Sequence, residues 1–438
     1  MDLVSVCNKI LCLINNYLIE KKVTNIINNQ ERKNNNEKGI KRILIVNSYY
    51  YPDMIGGAEL IVKTLAENLS NLGMKVHIAC IGVTSKDEEI NSVIIHRFKW
   101  FKVFKGNKNH NISRFLNDAF EMYNPVNEKR LKKIIKKVHP DIIHVHSICN
   151  VSPSIWHLAQ QMKIPLIHTI HDSWLKDNTL YWKFNNYKIE FAHITGLLKR
   201  YHKKMSKNVD YITAPSEYML NTYRDSDYFV NVNYKKIPNA LECSLDIIKK
   251  NALYKKKQIK SNEKIKYLYI GRLDSDKGID ILLEAFCRIE NSNIELHIAG
   301  RGKLEQKIYS LCKKDLRIKY YGFVQGEEKE EFFKNGNVLI FPTKLQESFG
   351  LVILEAYQRG IPVIACDIGA IPELVNHERT GLLIRPYNVN DIVKSIQYFS
   401  DKLNIYNKID NCCNTAQSFL IDGFIDNYMK IYQTLCEK

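Results

Sequence analysis

Residues 346–360 read QESFGLVILEAYQRG. Two carboxylates, Glu347 and Glu355, stand eight positions apart, with Phe349, Gly350 and Leu351 between them. The segment follows a short apolar run at residues 338–341, which Pro342 ends, and precedes another at residues 361–365. Strand, loop, helix and strand fit that pattern. The helix is predicted to begin near Gly350, which places Glu347 in the loop and Glu355 about a turn and a half into the helix. The free N–H groups and positive dipole end of such a helix point at whatever fills the loop. An anion at those amides, with a carboxylate on either side for hydroxyl groups, describes a sugar-phosphate site. An isolated pair at this spacing is more often two solvated glutamates on a buried helix, and the rest of the chain decides between the two readings.

The same alternation runs through most of the 438 residues. Strands are predicted at 42–46, 74–80, 92–98, 141–145, 165–170 and 210–214. Helices fall between them: one opens at Gly56-Gly57 and stops at Gly73, one covers 127–138, one covers 152–162. The pattern restarts after Pro238-Asn239, with strands at 265–270, 294–299, 318–321, 338–341, 363–366 and 382–384. This is an α/β chain with two doubly wound, Rossmann-like parallel-sheet domains facing a cleft, the default place for a ligand. Residues 1–39 form an N-terminal extension, with apolar residues at helical spacing in 1–19 and a polar, low-complexity linker behind them. The N-terminal domain covers 40–238 and the C-terminal domain 239–415, with 236–262 reading as a linker. Residues 416–438 read as a C-terminal helix, a candidate to return to the N-terminal domain.

Hydrophobic content of 45% and charged content of 25% are those of an ordinary globular protein. The formal net charge of +17 favours anionic partners: nucleic acid, acidic phospholipid or phosphorylated substrates. The lysines are spread over helices, with no finger or base-stacking motif, so nucleic acid is not expected. Eleven scattered cysteines without a C-x-x-C pair suit reduced thiols in an intracellular protein. No run is long and apolar enough for a spanning helix, and the N-terminus lacks the cleavage site of a signal peptide. An amphipathic helix lying on a membrane surface and one packed on the protein both fit residues 1–19.

Other residues carry chemistry. Arg272 and Lys277 share one strand-to-helix loop, GRLDSDKG, and offer the guanidinium fork and ammonium point charge that suit a pyrophosphate. Gly57 lets backbone approach a ligand at a helix start, though the full G-x-G-x-x-G of a dinucleotide site is missing. His144 and His146 alternate on one strand and His171 ends another. No carboxylate or cysteine completes a metal set with them, so no metal is expected and His171 is read as a group at the reacting centre. A Walker loop and a G-x-S-x-G elbow are both absent.

Together these residues resemble the retaining glycosyltransferases of family four, which have the GT-B fold. The resemblance covers residues 41 to about 432 and is carried by ESFGLVILEA and GRLDSDKG, supported by IGGAE, HVHS, the His171-Asp172 pair, TAPSEY, IPNA and IAGRG. The chain departs at Pro238-Asn239-Ala240, where the family has Pro-Asn-Gly, in a turn and not at a catalytic group. The resemblance implies a hexosyltransferase that uses a UDP- or GDP-linked sugar, with no cofactor and no metal, because the basic pair does the cation's work. It implies that Arg272 and Lys277 hold the diphosphate and Glu355 the ribose hydroxyls. Glu347 would take hydroxyls of the transferred sugar, amides of Phe349, Gly350 and Leu351 the sugar and distal phosphate, Gly57 the phosphates and His171 the donor sugar. His171, Arg272, Lys277 and Glu347 are the catalytic set so implied. The acceptor would be a glycan or a lipid-linked acceptor in surface polysaccharide synthesis. The enzyme is expected in the cytoplasm, with an anionic membrane surface as a candidate partner at its inner face. Two rival readings are a nucleotide-sugar-binding protein without chemistry and a sugar-nucleotide epimerase of similar fold, for which acid-base carboxylates are not found.

Overall fold

A computed structural model of the chain describes residues 40–53, 56–99, 123–177, 181–184, 187–190, 192–261 and 264–437. The N-terminal extension, with its expected surface helix and polar linker, lies outside the described residues. Two parallel-sheet domains are present. The first sheet contains β1 (Arg42–Val46), β2 (Lys75–Gly82), β3 (Lys86–Ile90), β4 (Val93–Lys99), β5 (Ile142–Val145) and β6 (Leu166–Thr169). After a separate antiparallel hairpin of β7 (Tyr181–Phe184) and β8 (Tyr187–Glu190), it is completed by β9 (Tyr211–Ala214) and β10 (Asn233–Lys236). The strand order is β10-β9-β6-β5-β1-β2-β4-β3. The second sheet contains β11 (Ile265–Ile270), β12 (Ile294–Ala299), β13 (Ile318–Tyr320), β14 (Val338–Phe341), β15 (Val363–Cys366) and β16 (Gly381–Ile384), in the order β13-β12-β11-β14-β15-β16.

These orders decide where a ligand can sit. The direction of winding reverses between β1 and β5 in the first sheet and between β11 and β14 in the second. A crevice opens beyond the carboxyl ends of strands at such a reversal. The loop after β11 carries Arg272 and Lys277, and the loop after β14 carries Glu347. In the first sheet the same position belongs to the Gly56-Gly57 turn and the His146-Ser147 strand end.

The helices needed below are α1 (Gly57–Asn71), α2 (Pro125–Val138), α3 (Ala192–Ser206), α4 (Glu217–Arg224), α5 (Leu245–Ile259), α6 (Ile279–Cys287), α7 (Gly326–Asn335), α8 (Leu351–Tyr357) and α9 (Ile421–Cys436). Both faces of each sheet are covered, which is why the strands read as continuous apolar runs. In β1, Leu44 and Val46 join one core and Ile43 and Ile45 the other. The second of these cores is completed from far along the chain. Phe424, Ile425, Tyr428, Ile431, Tyr432 and Leu435 of α9 are buried in it with Ile43, Ile45, Ile61 and Leu65. At ~1.5–3 kcal/mol for each large apolar side chain, that stripe contributes roughly 10 kcal/mol before chain entropy is counted.

Three expectations are corrected. The first sheet is not wholly parallel: β3 pairs antiparallel with β4 through a two-residue turn, Asn91-Ser92, in which both residues have positive φ. Lys86-Asp87-Glu88-Glu89 is too charged to read as a strand, yet charge is what protects an exposed sheet edge. The segment 236–262 is not a linker throughout, since α5 occupies most of it. Its buried stripe is Ile248, Lys255 and Ile259, with Ala252 half-buried, so a lysine interrupts the apolar pattern. The Lys255 ammonium is held by Gln258 Oε1 at 2.7 Å, the Lys334 carbonyl at 3.0 Å and the Gly336 carbonyl. Finally, residues 416–438 are not one helix. A helix ends at Gln417, residues 418–420 run extended or turned, and α9 starts at Ile421. There Leu420 bridges Leu241, and Leu241 N–H donates to the Phe419 carbonyl at 2.8 Å, so two segments of chain cross between the domains side by side.

Candidate active site

The loop after β11 turns from strand to helix in a very small space. Gly278 has φ 74°, and a Cβ there would lie 1.8 Å from the Pro342 carbonyl oxygen. Only glycine lets the loops after β11 and β14 press together this closely. The result is a contact between residues 70 positions apart: Lys277 Nζ donates to Glu347 Oε1 at 2.7 Å. Thr343 Oγ1 donates to the same oxygen, also at 2.7 Å. Behind it, the Glu347 carbonyl accepts from Ala370 N–H at 2.9 Å. Both partners of the ion pair are partly buried, with side-chain exposures of 22% and 16%. Arg272 is more exposed, at 56%, and is gripped by its own loop. One arm meets Asp274 at 2.9 Å and the other Asp276 at 2.7 Å, and the hydrogen bond to Asp276 raises the guanidinium pKa above its usual value.

Gly350 caps α8, so the helix's free N–H groups begin at Leu351. The Phe349 ring faces inward, 4% exposed and edge-on to Phe419, which leaves the backbone of this turn as its outward chemistry. Glu355, in the middle of α8, accepts from Lys329 Nζ of α7 at 2.6 Å. Each carboxylate of the quoted stretch thus has a lysine of its own.

In the first domain, Gly57 begins α1, and the Glu59 carboxylate caps it by accepting from Gly56 N–H at 2.8 Å. A Cβ on Gly57 would stand 2.9 Å from Leu351 Cδ1, so the turn after β1 lies against the start of α8. Four further contacts join the two domains nearby. Ser216, the N-cap of α4, donates its hydroxyl to the Ser348 carbonyl at 2.7 Å. Glu373 accepts from the N–H groups of Glu217 at 2.9 Å and Tyr218 at 2.7 Å. Lys236 reaches Glu373 at 3.3 Å.

His171 stands at the end of β6, partly buried. Its Nε2 lies 2.9 Å from Nδ1 of His146, with the rings stacked at 5.2 Å between centroids. Burial lowers the His171 pKa to about 4, so the ring is neutral near pH 7. Burial likewise raises the neighbouring Asp172 carboxyl above its usual range. A small cavity of about 20 Å³ lies here, lined among others by His146, Cys149, His168, His171 and Asp172. His144 is committed elsewhere: its nitrogens face Tyr432 Oη at 2.6 Å and Thr169 Oγ1 at 2.7 Å. Among the described residues no group of His, Cys, Asp and Glu is arranged to hold a metal ion.

The structure therefore brings Lys277 and Glu347 into contact, and Gly57 against Leu351. Arg272 and Glu355 are each bound to a partner of the same domain, and His171 belongs to the first sheet. Sequence reasoning missed Thr343, Lys329, Asp274, Asp276, Ser216, Glu373 and the role of His146. Of these Asp274 and Asp276, two acids inside the basic loop, and Ser216, inside TAPSEY, left a signal. The others meet their partners through the fold.

Comparison with known proteins places the chain in a context. Residues 250–412 match the family described as glycosyl transferases group 1, and residues 55–244 match glycosyltransferase family 4. An uncharacterized 42.6 kDa protein in the cps region of Klebsiella pneumoniae is 28% identical over 89% of this chain and 99% of its own length. The O-antigen chain mannosyltransferase C of Escherichia coli is 23% identical over 90% of this chain and 99% of its own. Among solved structures, HepE of Anabaena in complex with UDP superposes with a TM-score of 0.66 at 15% identity, over 90% of this chain and 100% of that one. The last likeness establishes the shared GT-B fold.

Proposed function

We propose, from the premise that this chain belongs to the group 1 and family 4 glycosyltransferases, that it transfers a hexose with retention from a nucleotide-sugar donor to a glycan or lipid-linked acceptor. The observation that carries this reading is the Lys277–Glu347 pair at the winding reversal of the second sheet. A lysine and a carboxylate 2.7 Å apart, with Arg272 in the same loop, can divide a sugar diphosphate between them. Lys277 and Arg272 take the phosphates, and Glu347 takes sugar hydroxyls. Glu355 takes the ribose hydroxyls, exchanging its bond to Lys329 for them. Backbone N–H groups of Phe349, Gly350 and Leu351 turn toward the sugar and distal phosphate, and Gly57 approaches the phosphates from the other domain. Neutral His171 faces the donor sugar.

As the glycosidic bond breaks, negative charge collects on the leaving diphosphate. Fixed cationic donors at that point stabilise the transition state more than the ground state. The diphosphate then accepts the acceptor's proton, and the new bond forms on the face the leaving group has left. Arg272 and Lys277 supply the charge a metal would otherwise bring, so the reaction is metal-independent. Closure of the first domain over the donor excludes the water that would hydrolyse it.

The donor is UDP- or GDP-linked, and a protein of the same fold solved with UDP supports a nucleoside-diphosphate donor. Relatives from a cps region and an O-antigen pathway support a role in surface polysaccharide synthesis. Among the described residues no helix is long and apolar enough to cross a membrane. Exposed Lys132, Lys133 and Lys136 on α2, and Arg200, Lys204 and Lys207 on α3 or just beyond it, support cytoplasmic docking on an anionic leaflet beside a lipid-linked acceptor. The test is incubation with a panel of nucleotide sugars, with and without acceptor lipid extracts. One donor should be consumed faster when acceptor is present. Binding of a donor without turnover under either condition would refute the reading, and interconversion of the donor's sugar would replace it with an epimerase.

A further inference from the structure

We propose that His146 is a positioning residue that holds His171 in the tautomer with its proton on Nδ1. The geometry starts from a single contact. Nδ1 of His146 and Nε2 of His171 are 2.9 Å apart, so one of them donates and the other accepts. His146 is 1% exposed, and its other nitrogen, Nε2, has no hydrogen-bond partner among the described residues. A neutral imidazole carries one N–H. Buried N–H groups without an acceptor are rarer than buried acceptors without a donor. The His146 proton therefore sits on Nδ1, where it has a partner, and the bare lone pair sits on Nε2. His171 Nε2 must then accept, which leaves the His171 proton on Nδ1.

The surroundings prevent other arrangements. Burial depresses the pKa of His146 well below its usual value and that of His171 to about 4, so neither ring gains a second proton near pH 7. His144 packs on the other side of His146, with ring centroids 4.0 Å apart, and both its nitrogens are occupied by Tyr432 and Thr169. His146 is thus packed between two rings, and neither offers its Nε2 an acceptor. Its partner is different. His171 is partly exposed, and its Nδ1 makes no bond to a described residue. The consequence is an N–H donor fixed in advance at the end of β6. If the proposed function holds, this donor meets an oxygen of the sugar or phosphate, and a free lone pair there would instead repel it.

The test reads the tautomer directly. Protein labelled with ¹⁵N-histidine is examined by long-range ¹H–¹⁵N correlation spectra, with the His171 signals identified by their loss in His171→Asn. The wild type should show His171 protonated on Nδ1. His146→Phe should shift His171 toward the Nε2–H form and lower kcat roughly tenfold, with a smaller change in donor KM. His146→Asn, whose amide N–H can replace Nδ1–H, should keep the tautomer and hold kcat within about threefold of wild type. Wild-type His171 protonated on Nε2 would overturn the proposal, as would a folded His146→Phe that keeps both tautomer and kcat. If His146→Phe does not fold, the wild-type and His146→Asn spectra decide. The spectra need no donor, so a protein that consumes no nucleotide sugar but carries Nδ1–H on His171 would sink the proposed function and uphold this inference.

Discussion

Glu373 is the residue whose removal tests domain closure most directly. It ends a short turn after β15, and its carboxylate accepts two N–H groups at the first turn of α4, in the other domain, at 2.9 and 2.7 Å. A hydrogen bond to a charged group contributes ~1.5–3 kcal/mol, and a carboxylate at a helix N-terminus gains ~0.3–1 kcal/mol from the dipole. The side chain is 25% exposed, and its Lys236 partner at 3.3 Å is 43% exposed, so the ion pair adds little and water offsets part of the rest. A net value of roughly 2 kcal/mol for closure is reasonable, which corresponds to a factor of about 30 in the closed-to-open ratio. Glu373→Ala should therefore lower kcat/KM for the donor by up to about that factor. Glu373→Gln, which keeps the acceptor oxygen without the charge, should lose about half as much in free energy. The melting temperature should barely move, because the cores of both domains are untouched. Steady-state kinetics with each variant, together with small-angle scattering for the radius of gyration, make the measurement. Wild-type kcat/KM with an unchanged scattering profile in Glu373→Ala would refute the reasoning.

Other expectations concern charge and protons. Lys277→Ala should lower kcat by about 10²–10³, as for a lost preorganised donor, whereas Glu355→Ala should chiefly raise donor KM by a factor worth ~1–3 kcal/mol; a Lys277→Ala variant with normal kcat would show that the lysine does not stabilise the leaving group. Activity should survive thorough chelation, and a large loss restored by magnesium or manganese would point to another phosphate-binding arrangement. Burial lowers His77 and His171 to about 4 and His168 to about 3, so the folded protein refuses protons that the unfolded chain takes up near pH 6.5. Their stabilising effect is complete above that pH and is lost as pH falls toward 4, at up to about 1.4 kcal/mol per pH unit for each proton refused; a urea midpoint unchanged from pH 7 to pH 5 would contradict this. Sedimentation with acidic vesicles should exceed that with neutral ones and weaken with salt, and equal binding to both would remove the electrostatic docking idea.

What could be read from the sequence, and what could not, follows from the range of the interactions. The strands at 265–270, 294–299 and 338–341 are bounded by Lys264 and Gly271, Asn293 and Gly300, and Asn337 and Pro342, and their ends in the structure agree with the reading. The α5 helix escaped because Lys255 sits in its buried stripe, and a lysine there makes sense only when the carbonyls of Lys334 and Gly336 are in view. The β3 strand escaped because an edge is selected for charge, not for apolar alternation. The site divides the same way. Glu347 and Lys277 were each legible from their local motifs, but their contact exists only because β11 and β14 are neighbours at the winding reversal. Glu373 carries no local signal, and the TAPSEY motif marks Ser216 without revealing its partner, since each acts on a backbone group of the other domain.

The position of α9 has a consequence for how the protein is made. The first sheet has all its strands once Lys236 of β10 has left the ribosome, yet one of its two faces, covered in part by α1, stays incomplete until Phe424 to Leu435 of α9 appear. That interval is about 200 residues, or roughly 10–40 s at ordinary rates of synthesis. Throughout it the core of Ile43, Ile45, Val76 and Ile78 has its α1 side chains but lacks those of α9, while the second domain is still being translated and folded. The domain that starts first is the one that finishes last, so a chain cut short before α9 would leave this face of its first sheet only partly covered.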